Sequence, residues 1–190
     1  DLGGGTFDVS ILEYEANIVT TLATLGDTRL GGEDFDDRLL EYMLNHIQAD
    51  TGHDYSADSV VVQRLKDASE NAKIELSSQN TAKISVPYIS ADYNLEMNYS
   101  RAEYEQMVED LIVRSIEVVQ QAIDDAGLEQ SAISEIILVG GQSRMPRIHQ
   151  ILVDTFGVSP SKGVHPDEAV ALGAALHAST LNDDGLDGPM

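Results

Sequence analysis

Cysteine and tryptophan are both missing from the 190 residues. The first absence excludes disulfide staples and thiolate metal sites and fits a reducing compartment. With no tryptophan and with the tyrosines scattered, the chain offers no aromatic platform on which single-stranded nucleic acid would stack. Positive charge is scarce too. Eleven Lys and Arg face 33 Asp and Glu, a formal charge of -22 that repels nucleic acid and anionic membrane alike. No apolar run approaches the length that crosses a bilayer, so a soluble chain with neither kind of partner is expected. His46, His53, His149, His165 and His177 share no metal-ligand spacing, and no nucleophilic triad is readable. Aspartate outnumbers glutamate and lysine is rare, a balance that suggests adaptation to salt. Folding stability should then climb steadily through a salt series of thermal melts, and a flat series would end the idea.

What the chain has is concentrated at its start, Asp-Leu-Gly-Gly-Gly-Thr-Phe-Asp-Val-Ser. Phe7, Val9 and Ile11 alternate with Asp8 and Ser10, the period of two of a half-buried strand. The triple glycine therefore feeds a strand, whereas dinucleotide folds and P-loops place their glycines before a helix and hold the anion at its N-terminus. Here Gly3, Gly4 and Gly5 would bind phosphate through the amides of a tight turn, with no Cβ in the way. Asp1 and Asp8 flank the turn, and a pair of carboxylates suits Mg²⁺, which prefers oxygen and keeps several waters. An ordinary glycine hairpin with two solvated acids also accounts for these ten residues. Because the net charge opposes nucleotide phosphates, close donors and the metal would have to outweigh the overall field.

The length allows one large domain or two lobes. A second strand, Ile18 to Leu25, should pair with the first. Phe35, Leu39, Met43 and Ile47 mark a helix ended by Gly52. Val61, Leu65, Ala68, Ala72 and Leu76 mark a second, running from about Ala57 to Ser78. Lys83 to Ser90 and Asn94 to Tyr99 read as a hairpin, with Pro87 on an edge strand. Ser100 and Glu103 form a capping box, opening a single long helix to Gly127. Ile136 to Val139 read as a buried strand stopping at Gly140, before a helix that begins near Pro146. In the last helix, from Ala169, the small residues Ala171, Gly173, Ala174 and Ala175 would allow close packing, and disorder is expected from about Asn182. Mixed strands and helices predict an α/β fold, with residues 1–30 and 109–190 in one subdomain and 31–108 inserted as another.

Three further constellations have a plain structural account. Glu70, Lys73 and Ser77 share one helix face, as a solvated ion pair and a serine would. Gly140-Gly141-Gln142-Ser143-Arg144 stands where a strand turns into a helix, the place at which ligands enter open α/β sheets, or a routine capped turn. Asp167 follows Pro166 in a helix's first turn, where the macrodipole favours a carboxylate.

The run DLGGGTFDVS closely resembles the second phosphate loop of the DnaK-type, seventy-kilodalton heat-shock chaperones. Glu-Asn-Ala-Lys-Ile-Glu-Leu-Ser at residues 70–77 is similar to those chaperones' ribose and adenine helix, and Gly140 to Arg144 to their adenosine motif. The resemblance covers nearly the whole chain and implies the second lobe of an actin-like ATPase domain: a ribonuclease H-like base with an inserted α+β upper subdomain. It implies ATP or ADP with Mg²⁺, and K⁺ as a further cation. Gly3, Gly4, Gly5 and Thr6 would serve the phosphates, with Thr6 on the terminal phosphate or attacking water. Asp1 and Asp8 would orient the metal through water. Glu70 and Lys73 would meet the ribose, Ser77 the adenine, and Arg144 would stack on the purine against the Gly140-Gly141 backbone. Gly32 and Asp167 would complete the pocket. Ile74 stands where many eukaryotic members carry arginine, and Gln142-Ser143 replaces the usual Ser-Thr.

The same resemblance implies a cytoplasmic stress-response protein that couples ATP hydrolysis to polypeptide binding and release. Its partners would be a first ATPase lobe, a peptide-binding domain, a J-domain co-chaperone and a nucleotide-exchange factor. The chain opens inside a motif without an initiator methionine, so it looks like an excised piece, and alone it should bind nucleotide weakly and hardly hydrolyse it. An actin-like filament protein or sugar kinase shares the broad fold, and a pure interaction module docking the exchange factor is the alternative from another class.

Overall fold

A computed structural model describes residues 1–16, 18–161 and 168–183. After the glycine turn, β1 (Phe7–Glu15) pairs antiparallel with β2 (Ile18–Asp27). Phe7 and Ile11 are buried and Val9 half-buried while Asp8 and Ser10 face out, the alternation expected. A bulge after Ile11 takes Leu22 out of register, and beyond it Leu12, Tyr14, Ile18 and Val19 are exposed. Burial on this hairpin is therefore confined to the end that carries the glycine turn.

α1 (Gly32–Thr51) buries Phe35, Leu39, Met43 and Ile47 completely. Each such side chain contributes about 1.5–3 kcal/mol, so this stripe fixes the helix. Gly52, left-handed at φ 74°, ends it. α2 (Ser59–Ser78) starts on Asp58, whose carboxylate accepts from the amides of Val60 and Val61, and packs on α1. Its other neighbour is β3 (Thr81–Ser90), which pairs with β4 (Tyr93–Ser100). Pro87 lies in a bulge between Val86 and Ser90, where no ladder bond is required of it. The Arg64 guanidinium holds the Pro87 and Tyr88 carbonyls there, and the Asn94 side chain accepts from the Tyr88 amide.

Three expectations are corrected. The single helix from Ser100 to Gly127 is two: α3 (Arg101–Met107), opened by the Ser100–Glu103 capping box, and α4 (Glu109–Asp125). Val108 between them leaves helical values at φ -105° and ψ 10°. There the chain passes from packing on β4 to packing on the β1–β2 hairpin. The apolar period runs unbroken through the bend, since Tyr104, Val108, Leu111, Ile112 and Ser115 are all buried, and neither Gly nor Pro announces it.

Second, Ile136 to Val139 form no ladder among the described residues. There one bond from the Leu2 amide to the Val139 carbonyl (2.9 Å) and one from the Ser161 amide to the Ile136 carbonyl (2.7 Å) tie them sideways. Ile136, Leu138 and Val139 are half-buried while Ile137 is exposed, so the run is only partly buried. Third, α6 (Ala169–Asp183) follows α5 (Pro146–Phe156), but among the described residues nothing stands within 4 Å of where a Cβ on Gly173 would be, and Ala171, Ala174 and Ala175 are exposed. Val170, Leu172 and Leu176 are exposed. Small side chains permit a close approach without supplying a partner. The helix also continues past Asn182 to Asp183, and residues 184–190, where the rest of the expected disorder falls, lie outside the described residues.

α4 and α5 are joined by a two-pronged ion pair, Arg147 Nη2 to Glu109 Oε1 at 2.7 Å and Nε to Oε2 at 3.1 Å. The guanidinium holds the Glu109 carboxyl below its ordinary value. A carboxyl lowered in the folded state stabilises above the unfolded value of about 4.3 and loses that contribution as pH falls through the folded one. Glu109→Gln should therefore flatten part of the acid limb of a stability–pH curve and lower the plateau above it by a constant amount. Because the pair is partly exposed, the share is under about 1 kcal/mol.

Candidate functional site

The glycine turn is held on both sides. Leu2, buried in the core, donates to Val139 and accepts from the Gln142 amide at 3.1 Å. The Gly3 amide closes the turn on the Thr6 carbonyl (3.1 Å), and the Asp8 amide bonds the Asp1 carbonyl (2.8 Å). From the other side the first amides of α1 come down on the turn: Gly32 donates to Gly3 and Glu33 to Gly4, each at 2.8 Å. The carbonyls of Gly3 and Gly4 are thus consumed while the amides of Gly4 and Gly5 bond to nothing among the described residues. No atom stands within 4 Å of where a Cβ on either would be. A rigid turn offering unpaired amides on an open face is suited to an anion.

Two other glycines make that arrangement possible. A Cβ on Gly31 would stand 2.5 Å from the Gly4 carbonyl oxygen and 2.6 Å from Gly5. One on Gly140 would stand 2.3 Å from the Leu2 carbonyl oxygen, and Gly140 is left-handed at φ 87°.

The flanking acids are exposed, and the Thr6 hydroxyl donates to Asp8 Oδ2 at 3.3 Å. Asp1 Oδ1 lies over Gly140 and Asp8 Oδ1 over Gly26. No three metal-ligating side chains cluster among the described residues. Two solvent-facing carboxylates beside open amides fit a cation that keeps its waters, and do not fit a fully protein-caged one.

Beside the turn opens a cavity of about 350 Å³. Eight of the residues singled out from sequence line it: Gly3, Gly4, Gly32, Glu70, Lys73, Ser77, Gly141 and Arg144. Asp1, Gly5, Thr6, Asp8 and Gly140 belong to the turn and its support and are not in the lining. Asp167, with Pro166 and His165, lies outside the described residues.

α2 presents Glu70, Lys73, Ile74 and Ser77 to this space. Ser77 donates to its own helix, to the Ile74 carbonyl at 2.6 Å. Ile74 is exposed and supplies an apolar wall. Lys73 is not a loose surface lysine. Its Nζ donates to the Gly32 carbonyl at 2.9 Å and to Asp36 Oδ2 at 2.7 Å, and its side chain is 16% exposed.

Across the cavity Gly140 turns the chain into a short 3₁₀ turn, Gly141–Arg144, on which Ser143 donates back to the Gly140 carbonyl at 2.6 Å. The Gln142-Ser143 variant therefore keeps the turn closed through Ser143. Pro146 begins α5 immediately after, where its missing amide costs nothing.

Sequence reasoning missed two groups of residues. α3 contributes Arg101, Tyr104 and Glu105, brought to one face by the capping box that fixes its start. Arg101 is committed to the carbonyls of Leu76 and Gln79, and the Tyr104 hydroxyl to that of Phe35. Burial pushes the Glu105 carboxyl up. The other omission is Asp36, on the buried side of α1. Desolvation raises its carboxyl against the opposing pull of Lys73, with Glu70 and Asp37 adding to the rise. A signal existed: Asp36 sits between Phe35 and Leu39 on the stripe that every other position fills with an apolar side chain.

A family model described as Hsp70 protein matches residues 1–187. The chaperone protein DnaK of Stenotrophomonas maltophilia (strain R551-3) is 50% identical over 196 residues, an alignment covering 98% of this chain and 30% of that protein. The chain thus spans under a third of that relative's length.

Proposed function

Because the chain belongs to the Hsp70 family, we propose that it is the ATP-binding second lobe of a chaperone ATPase domain, its base formed by residues 1–30 and 109–190 and its upper subdomain by 31–108. One observation carries the site: open glycine amides at one end of a cavity whose other walls bear Glu70, Lys73, Ser77 and Arg144. The subdomain division is supported by the packing of α1 on α2, α2 on β3 and α3 on β4, with α4 against the first hairpin.

On this reading the open amides of Gly4 and Gly5 grip the polyphosphate, while the Gly3 amide, spent on the Thr6 carbonyl, closes the turn that aims them and the α1 clamp holds it. Thr6 orients the attacking water, and Asp1 and Asp8 hold the waters of Mg²⁺. Bound there, the metal neutralises phosphate charge that the acidic chain would otherwise repel. Catalysis is then mainly electrostatic positioning of the phosphoryl group. Lys73 and Glu70 hold the sugar, Ser77 and Ile74 face the base, and Arg144 covers it, with Asp167 and K⁺ assigned here by the resemblance alone. In the complete protein hydrolysis would drive polypeptide binding and release, with a J-domain protein and an exchange factor as partners. This lobe by itself should hydrolyse ATP negligibly, because the opposing phosphate contacts belong to the other lobe.

Calorimetric titration of Mg·ADP into the chain and into Lys73→Ala tests the pocket. A weak wild-type isotherm that weakens about tenfold in the variant, the loss of one charge-assisted hydrogen bond, is expected. Equal affinities would move the nucleotide away from α2.

A further inference from the structure

Lys73 has three N–H donors, of which Gly32 O and Asp36 Oδ2 take two. The ammonium is therefore set in direction as well as place, and a single donor is left at the cavity wall that Lys73 lines. Asp36 itself is 5% exposed, and its Oδ1 is buried without a hydrogen-bond partner among the described residues. For stability alone this is a poor arrangement, since a buried ion pair with an unmet acceptor is commonly no better than an apolar replacement. Nor do α1 and α2 depend on it for ionic contact, because Lys66 already reaches Glu33 and Asp37 at the exposed margin of the same helix pair. Gly32 completes the seat: a Cβ there would stand 3.1 Å from Lys73 Nζ.

We infer that Asp36 is a positioning residue for Lys73, a buried carboxylate that fixes the ammonium so that its remaining N–H is presented to a hydroxyl-bearing ligand in the cavity. Resting on the nucleotide reading above, the inference makes Asp36 a determinant of how the sugar hydroxyls are recognised, although Asp36 touches no ligand. The effect is preorganisation: the direction of the donor is settled before the ligand arrives.

Two measurements test it. Amine acylation followed by residue-resolved mass spectrometry, without nucleotide and with Lys66 as internal reference, should show Lys73 labelled about tenfold faster in Asp36→Asn, as one charge-assisted bond is worth. An unchanged rate overturns the inference. Separately, Mg·ADP and its 2′,3′-dideoxy analogue are titrated into wild type, Asp36→Asn, Lys73→Met and the double variant. The wild type should prefer the hydroxylated sugar, each single variant should lose that preference, and the double should lose no more than either. A preference retained in Asp36→Asn, or losses that simply add, overturns it. If neither nucleotide binds the wild type, the nucleotide reading falls, and the labelling rate alone decides whether Asp36 fixes Lys73. Asp36→Leu repeats both arms should the asparagine variant melt below assay temperature.

Discussion

Gly140→Ala should be among the most damaging single-methyl substitutions in this chain. The residue sits at φ 87° and ψ 147°, a region that is essentially glycine's own and costs other residues about 1–3 kcal/mol. Its added methyl would also fall 2.3 Å from the Leu2 carbonyl oxygen and 2.5 Å from Asp1 Oδ1. The exposed Asp1 side chain can turn away, but the Leu2 backbone cannot. Leu2 is buried, its amide bonded to Val139 and its carbonyl accepting from Gln142. A total of about 3 kcal/mol or more follows, lowering the melting temperature by about 10 °C in a chain of this size. Nucleotide affinity should fall with it, because relief of the clash pushes the glycine turn off its support. A melting temperature within 2 °C of wild type would mean the turn is not packed against Gly140 as described.

How much of this could be read from residues alone depends on whether the signal was local. The two hairpins, α1 and α2 carry their own periodicity and caps, and Asp58, Gly52 and the Ser100–Glu103 box act where the sequence puts them. The bend at Val108 had no local mark, because the apolar stripe is continuous and what changes is the surface on which it lies. Residues 136–139 are apolar enough for a buried strand, yet strand character also needs neighbours to bond, and those are set by distant parts of the chain. The small residues of α6 failed as a guide for the same reason.

The site divides along the same line. Each glycine motif was legible as a turn, but that the turns serve one another was not. Gly31 and Gly140 are needed because the first turn is seated against both, and Gly140 comes from a segment more than a hundred residues away, a relation that no spacing encodes. Asp36 was overlooked because acidic neighbours made it look solvated: Asp34 and Asp37 flank it in sequence, while the helix carries Asp36 alone of the three into the core.

Gly4→Ala separates the roles that the glycines share. Gly4 is not left-handed, and no atom lies within 4 Å of its would-be methyl, so alanine is accommodated without strain. Its carbonyl can keep the bond from the Glu33 amide, and the unfolded chain loses entropy, so stability should hold or rise by up to about 1 kcal/mol. The space that the methyl would occupy opens on the cavity, because Gly4 lines it. A phosphate oxygen must come within about 3 Å of an amide nitrogen to bond, and a methyl at this position keeps it out. Losing about two charge-assisted bonds, at 1.5–3 kcal/mol each, should lower Mg·ADP affinity about 100-fold or more. Paired melting and calorimetry distinguish this from Gly140→Ala, in which stability and binding fall together. Should Gly4→Ala bind nucleotide as the wild type does, the open amides would not be the phosphate site, whatever the cavity beside them holds.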